Sequence, residues 1–116
     1  MTRSERATQW RKDNPERFRE IKRNSRLKAE FGITATQYDA MYANQNGKCA
    51  ICNTQETSKS SHSAAPKALA VDHDHSTGKV RALLCSRCNQ AVGMVKENFD
   101  TALNLAKYIH EHKGII

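Results

Sequence analysis

Hydrophobic residues recur along this chain with two different periods, which predicts helices on both sides of a short β-hairpin. Helical spacing and capping signals indicate five helices, and two apolar runs around a Ser-Thr-Gly turn indicate two strands. The predicted helices cover 3–12, 15–31, 34–44, 86–96 and 100–112, and the predicted strands cover 69–71 and 80–84. The expected fold class is therefore α+β and mainly helical, with a helix directly after the hairpin.

Capping residues set the predicted helix boundaries. Residues that favour the N-cap precede four of the helices, namely Thr2, Asn14, Thr34 and Asp100. Gly32 fits a C-terminal cap. Three residues of the third helix share one face and are expected in the core: Tyr38, Met41 and Tyr42. The last helix is expected to pack its apolar positions inward: Ala102, Leu103, Leu105, Ala106 and Ile109.

The composition leaves little material for a large hydrophobic core. Apolar residues make up 38% of the 116 residues, and only seven are aromatic. Small domains of this kind commonly depend on a metal, on disulfides or on an oligomer. No apolar stretch approaches the ~20 residues of a membrane span, and the N-terminus is too polar for a signal peptide. We therefore expect a cytoplasmic protein without membrane contact.

The positive charge is concentrated at the N-terminus. The formal net charge is +7, and residues 1–30 hold ten of the nineteen Lys and Arg residues against five acids. This distribution predicts a basic helical arm over 1–32 joined to a domain over 33–116. Such an arm suits a polyanion, because each Lys or Arg that neutralises a phosphate releases a condensed counterion. The alternative is a solvated helix that only keeps the protein soluble.

Four cysteines form two C-x-x-C pairs, Cys49 with Cys52 and Cys85 with Cys88. In a reducing compartment such pairs indicate thiolate metal ligands more strongly than redox dithiols or disulfides. Four thiolates complete a tetrahedral structural zinc site, which leaves no open position for catalysis. The 32 residues between the pairs exceed the usual zinc-ribbon spacing, which a polar loop over 53–67 and the hairpin account for.

Acidic and imidazole side chains alternate at the end of the first strand, in the order Asp72, His73, Asp74, His75. Strand geometry would place the two aspartates on one face and the two histidines on the other, whereas a bend would let all four converge. Asn89, directly after Cys88, adds a neutral oxygen donor that suits a hard cation such as Mg²⁺. The alternatives are a polar turn with capping aspartates and exposed histidines, and a second zinc held by the histidines.

These motifs together resemble the recombination endonuclease VII family, within the larger HNH or His-Me finger group of nucleases. The resemblance rests on CAIC at 49–52 and on LAVDHDHSTGKVRALLCSRCN at 69–89, and it extends over about 37–96. It implies a ββα-metal motif, in which a hairpin and a following helix clamp a divalent cation and a four-cysteine zinc staples the motif. N- and C-terminal helices would flank this core.

The resemblance also implies a role for each site residue. Asp72 and Asn89 match the ligands of the catalytic Mg²⁺ or Mn²⁺, and His73 matches the general base that activates water. His75 matches a second histidine near the scissile phosphate. The zinc ligands would be Cys49, Cys52, Cys85 and Cys88. Val92 departs from the best-known junction-resolving relative, which has an acid at this point of the helix.

The expected function is therefore a Mg²⁺-dependent DNA endonuclease or nickase that leaves a 5′ phosphate and a 3′ hydroxyl. Its expected substrate is double-stranded or branched DNA, with a homodimer where paired cuts are needed, in the cytoplasm of a phage-infected or prophage-carrying bacterium. The alternative from another class is a non-catalytic zinc module that binds nucleic acid. A third hypothesis is an interaction protein that uses its N-terminal helix to reach a protein partner.

Overall fold

The computed structural model describes residues 1–59 and 66–113. This part of the chain forms five helices and a two-stranded antiparallel sheet. The elements are α1 (Arg3–Asp13), α2 (Pro15–Phe31), α3 (Ala35–Asn44), β1 (Ala70–His73), β2 (Val80–Leu84), α4 (Ser86–Met94) and α5 (Phe99–Lys113). The prediction of a mainly helical fold with one small hairpin is confirmed. None of the described helices is both long enough and apolar enough to cross a membrane.

Capping side chains determine where the first three helices begin and end. Thr2 and Thr34 each accept a hydrogen bond from the amide three residues later, as predicted. Asn14 is the N-cap residue of α2, as predicted, but its side chain makes no cap bond there: its amide donates to the Trp10 carbonyl oxygen at 2.9 Å and closes α1. An asparagine between two helices can serve either end. Gly32 ends α2 in the left-handed region, with φ at 72°.

The chain divides into two compact units, and the first comprises residues 1–47 and 73–82. Within it, side chains of α2 hold the start of α3. Asn24 Oδ1 accepts a hydrogen bond from the Ala35 amide at 2.8 Å. Arg23 pairs with Asp39 at 2.5 Å and lies 5.2 Å from the centre of the Tyr38 ring. The basic helix α2 is therefore fixed to α3 by specific polar contacts rather than by a broad apolar face.

The aromatic face of α3 is only partly buried. Tyr38 is 8% exposed and Met41 is half-buried, but Tyr42 is 46% exposed, so its predicted place in the core is wrong. Tyr42 instead covers the turn after the helix, where a Cβ on Gly47 would lie 2.9 Å from its hydroxyl oxygen. Asn46 and Gly47 both have left-handed φ values, 55° and 71°. This tight turn requires the glycine and leads the chain to the first cysteine pair.

The second unit comprises residues 48–72 and 83–116, and its described core surrounds the first cysteine of each pair. Leu83 has no exposed surface, and the Ala50 amide donates to its carbonyl oxygen at 3.1 Å. The other buried apolar residues of this unit are Cys49, Leu69, Val71, Leu84 and Cys85. So few apolar side chains make a small core, as the composition predicts.

The two C-terminal helices have boundaries that differ from the predictions. α4 ends at Met94 rather than at Lys96, because Lys96 and Glu97 take left-handed φ values of 56° and 54°. α5 begins earlier than predicted, at Phe99. Asp100 does not cap it, since the Asn98 side chain accepts the hydrogen bond from the third residue of α5 at 2.9 Å.

The predicted inward packing of α5 is wrong. Every described residue of this helix is exposed, including Leu103 at 41%, Leu105 at 47% and Ile109 at 52%. The apolar spacing identifies the face that a partner surface would cover, but it carries no information on whether the chain supplies that surface. α5 therefore adds little buried area to the described core.

The Asn24 contact generates a stability prediction. Replacing Asn24 with Ala should lower the free energy of unfolding by about 1 kcal/mol, because the part-buried Ala35 amide loses its acceptor. Asn24→Asp keeps an acceptor oxygen at the start of α3 and should retain most of the stability. Urea melts of both variants measure the difference. Equal midpoints for parent and Asn24→Ala would show that the contact does not stabilise the helix pair.

Candidate functional site

The four cysteine side chains meet in the second unit. Their sulfur atoms all lie within 4.8 Å of one another, and all four are free thiols. Cys49 follows the glycine turn after α3, and Cys85 links the end of β2 to the start of α4. Cys49 and Cys85 are buried, Cys88 is half-buried and Cys52 is exposed. The two C-x-x-C pairs therefore form one cluster, as the sequence predicts.

The geometry of the cluster fits a tetrahedral metal. A tetrahedron with Zn–S bonds of about 2.3 Å has edges of about 3.8 Å, and the sulfurs of Cys52 and Cys85 are 3.8 Å apart. In each pair a backbone amide lies 3.4 Å from a sulfur: Ile51 donates to Cys49, and Cys88 donates to Cys85. Amide donors of this kind stabilise thiolates. Four sulfur donors so arranged could hold zinc, and the donor set favours it over hard cations.

The thiols differ in their readiness to ionise. Hydrogen bonds from the side chain and backbone of Thr54 lower the pKa of Cys52 to about 6. Burial, reinforced by hydrogen bonds with the neighbouring cysteine thiols, raises the pKa of Cys88 to about 12. A divalent metal held by these four cysteines would bind all of them as thiolates.

Glu56 is a supporting residue that the sequence analysis missed. One carboxylate oxygen accepts from the Ser58 amide at 2.8 Å, and the other accepts from the Ser86 amide at 2.5 Å. Ser86 is the first residue of α4, so Glu56 satisfies one of the free amides at that helix start. Burial raises the pKa of Glu56, but the amide hydrogen bonds outweigh it and the net pKa is lowered.

The polar loop predicted over 53–67 is anchored where it is described, and residues 60–65 lie outside the described part. Glu56 ties it to α4, and the Cys49 amide donates to the Thr54 carbonyl oxygen at 2.9 Å. Lys59 and Pro66 form an isolated antiparallel bridge. The sequence signal for the Glu56 contact was weak, since Glu56 is a single acid in a stretch rich in Ser and Thr.

Asp74 builds the hairpin turn. Its side chain accepts hydrogen bonds from the Ser76 hydroxyl and from the amides of Ser76 and Thr77, which lowers the pKa of Asp74 to about 2. The Gly78 amide donates to the Asp74 carbonyl oxygen at 2.7 Å, and Gly78 has a left-handed φ of 77°. For Asp74, the alternative of an aspartate that caps backbone amides is confirmed.

The two histidines of the hairpin lie side by side in the first unit. The ring centroids of His73 and His75 are 4.8 Å apart, with a tilt of 49° between the planes. The His73 ring also contacts Phe31, the last residue of α2, at 5.7 Å between centroids. His73 is half-buried and His75 is exposed. Residues 42 positions apart in sequence thus form a row of rings at the end of β1.

The remaining predicted ligands belong to the second unit. Asp72 precedes His73 on β1 and is 9% exposed. Asn89 is exposed in the first turn of α4, where its backbone amide donates to the Cys85 carbonyl oxygen at 2.9 Å. Their joint ligation of a cation stays a prediction. Within the described residues, the one place where three or more metal-ligating side chains meet is the four-cysteine cluster, so the second zinc at the histidines gains no support.

Comparisons with known proteins identify one matching family and two similar phage proteins. The profile of the recombination endonuclease VII family matches residues 24–111. The "Gene 59 protein" of Mycobacterium phage D29 is 44% identical over 68 residues, which cover 59% of this chain and 37% of the relative. The "Gene 59 protein" of Mycobacterium phage L5 is 44% identical over 66 residues, which cover 57% and 36%. The aligned part of this chain thus spans little more than a third of these relatives.

The cysteine geometry predicts that zinc is part of the fold. We expect about one zinc per purified chain, and we expect Cys85→Ser to lose it. A chelator that strips the metal should abolish the cooperative melting transition, because the free energy of metal binding is free energy of folding. Metal analysis and circular dichroism measure both effects. Chelated protein with unchanged helical dichroism and melting temperature would contradict a structural role.

Glu56 predicts a second effect on stability. Glu56→Ala should lower the free energy of unfolding by about 1 to 2 kcal/mol, because two amides lose a charged acceptor. Glu111→Ala, an exposed acid on α5, serves as the matched control and should change it by less than about 0.5 kcal/mol. Thermal melts of zinc-loaded protein at neutral pH provide the comparison. Equal losses in both variants would refute the capping role.

Proposed function

Because the chain belongs to the recombination endonuclease VII family, we propose that it is a nuclease that hydrolyses phosphodiester bonds in DNA. The observation that carries the proposal is the family match over residues 24–111. It includes every residue of the proposed site. The exposed surface of His75 and the partial exposure of His73 support the proposal, since a substrate must reach the reacting groups.

In this proposal His73 is the general base. A neutral imidazole has one ring nitrogen without a proton, and that nitrogen can accept one. One ring nitrogen takes the proton from water as the water oxygen bonds to phosphorus. The bond between phosphorus and the 3′ oxygen breaks, and that oxygen takes a proton from solvent. In this proposal the products are a 5′ phosphate and a 3′ hydroxyl, and His75 contacts the same phosphate.

Asp72 and Asn89 would hold the catalytic cation in this mechanism. A carboxylate and an amide oxygen are donors that Mg²⁺ and Mn²⁺ accept. When bound, the cation would offset negative charge on the phosphate and on the leaving oxygen. Asp72 directly precedes the proposed base in sequence. Asn89 directly follows the last cysteine of the thiol cluster.

The element order supports the finer assignment to the ββα-metal, His-Me finger group. β1, β2 and α4 follow one another with short connections, and Cys85 occupies the single position between β2 and α4. Zinc at the cysteines would therefore restrain the junction of hairpin and helix. In this proposal the cluster is a closed structural site and the pair Asp72 and Asn89 is an open catalytic one.

The basic arm, residues 1–32, would bind the DNA backbone. α1 has no buried residue, and the basic side chains of α1 and α2 are mostly exposed. Arg11 and Lys22 lie over the Phe18 ring at 5.5 and 5.6 Å, which ties cations of both helices to one side chain. We propose duplex or branched DNA as the substrate, with a homodimer for paired cuts. Val92, half-buried on α4, supplies no acid to the proposed site.

The second candidate is a zinc module that binds nucleic acid without cutting it. The cysteine cluster and the exposed cations favour it, since neither needs the hairpin histidines. It predicts that DNA is retarded in a gel but stays intact with Mg²⁺ or Mn²⁺.

A cleavage panel separates the two candidates. Supercoiled, linear, single-stranded and four-way-junction DNA are incubated with zinc-loaded protein, with and without Mg²⁺. We expect Mg²⁺-dependent nicking by the parent and a rate about 10² to 10⁴ times lower for His73→Ala. His110→Ala, on α5, is the matched histidine control and should cut at the parent's rate. DNA binding without cleavage by the parent, or full activity of folded His73→Ala, would refute the proposal.

A further inference from the structure

We propose that Phe31 is a positioning residue that orients the His73 ring for proton transfer. The inference rests on the proposed role of His73 as general base. It starts from the ring contact between the two residues, with centroids 5.7 Å apart and planes tilted by 54°. Both values fall in the range of favourable aromatic pairs, which avoid face-to-face stacking.

A histidine at the end of a strand needs such a contact. The torsion that turns the imidazole about its bond to Cβ has broad minima, so the rotamer alone does not fix the ring plane. β1 ends at His73, and the next residue already belongs to the turn. General-base catalysis depends on the direction of a ring nitrogen, and small errors in such geometry are costly. The ring contact with Phe31 restrains that torsion, because a turned imidazole would lose the packing.

Phe31 is the better restrained of the two rings that contact His73. His75 is exposed and lies in the hairpin turn, whereas Phe31 is half-buried on a helix. The same helix is fixed to α3 through Asn24, and Leu27, one turn before Phe31, is buried. The ring thus stands on a rigid element rather than on a loop.

The end of α2 supplies the position. Gly32 turns the chain out of the helix in the left-handed conformation, and its amide donates to the Lys28 carbonyl oxygen at 3.0 Å. Phe31 is therefore the last helical residue, and no later residue of α2 follows it on the same face of the helix. The same helix carries the cations proposed to hold DNA, so one rigid element would serve both the substrate and the base.

The test compares Phe31→Leu, Phe31→Tyr and Phe99→Leu. Leu keeps apolar bulk without a ring, Tyr keeps the ring, and Phe99 is an exposed phenylalanine on α5 that makes the same change remote from the hairpin histidines in sequence. Single-turnover cleavage of supercoiled plasmid with Mg²⁺ gives the rate, and binding of a labelled duplex with Ca²⁺ gives the affinity. All assays are run well below each variant's melting temperature.

We expect Phe31→Leu to lower the cleavage rate by roughly 10-fold or more with unchanged affinity. Phe31→Tyr and Phe99→Leu should keep the parent's rate. The decisive comparison is made in His73→Ala protein supplied with free imidazole, where Phe31→Leu should have no further effect because the base is no longer attached to the chain.

Each of the other outcomes contradicts a specific part of the proposal. Parent-like cleavage by Phe31→Leu, or a loss that Phe31→Tyr shares, shows that the ring does not position the base. An equal slowing in the imidazole-supplied His73→Ala background shows that Phe31 acts through the general fold. If His73→Ala alone cuts as fast as the parent, the proposed function fails instead, whatever Phe31 does.

Discussion

The convergence of four cysteine sulfurs is the constraint on which the second unit depends. Its core has few apolar side chains, and two of the most deeply buried are Cys49 and Cys85 themselves. Leu83 and Leu84 are buried directly before Cys85, so the end of β2 enters the core together with the thiol. Burial of so few side chains gives a small hydrophobic contribution, and bonds to a metal would compensate for it. Position 85 thus links the packing at the end of β2 to the four-cysteine cluster.

The second requirement is that α4 begins at the correct residue. A helix start has free amides, and here one of them donates to the Cys85 sulfur while another donates to Glu56. The Asn89 amide, one turn on, donates to the Cys85 carbonyl oxygen. The backbone around Cys85 is therefore held by a thiol, a distant carboxylate and the helix itself. Any function of Asn89 depends on that fixed start.

The helices and strands were predictable because their sequence signals are local, whereas the long-range contacts were not predictable. Thr34 and Gly32 indicate helix ends because their effects act within one helical turn. The two cysteine pairs indicate a cluster because the C-x-x-C spacing is typical of metal ligands. Glu56 contacts Ser86, 30 positions away, and Phe31 contacts His73, 42 positions away. Neither contact produces a periodic pattern in the sequence. The exposed face of Leu103 and Ile109 shows the opposite limit, since amphipathic spacing predicts a face and not its partner.

The alternating aspartates and histidines of the hairpin show how one turn gives side chains of the same type different roles. Asp74 Oδ1 accepts hydrogen bonds from the Ser76 hydroxyl and from the amides of Ser76 and Thr77, and these bonds lower the pKa of Asp74. That turn ends the strand, so His75 comes beside His73 at 4.8 Å. Asp72 stays on the strand and is buried. The sequence presents two similar aspartates, and the structure separates them: Asp72 lies on the strand, whereas Asp74 holds the turn that brings the histidines together.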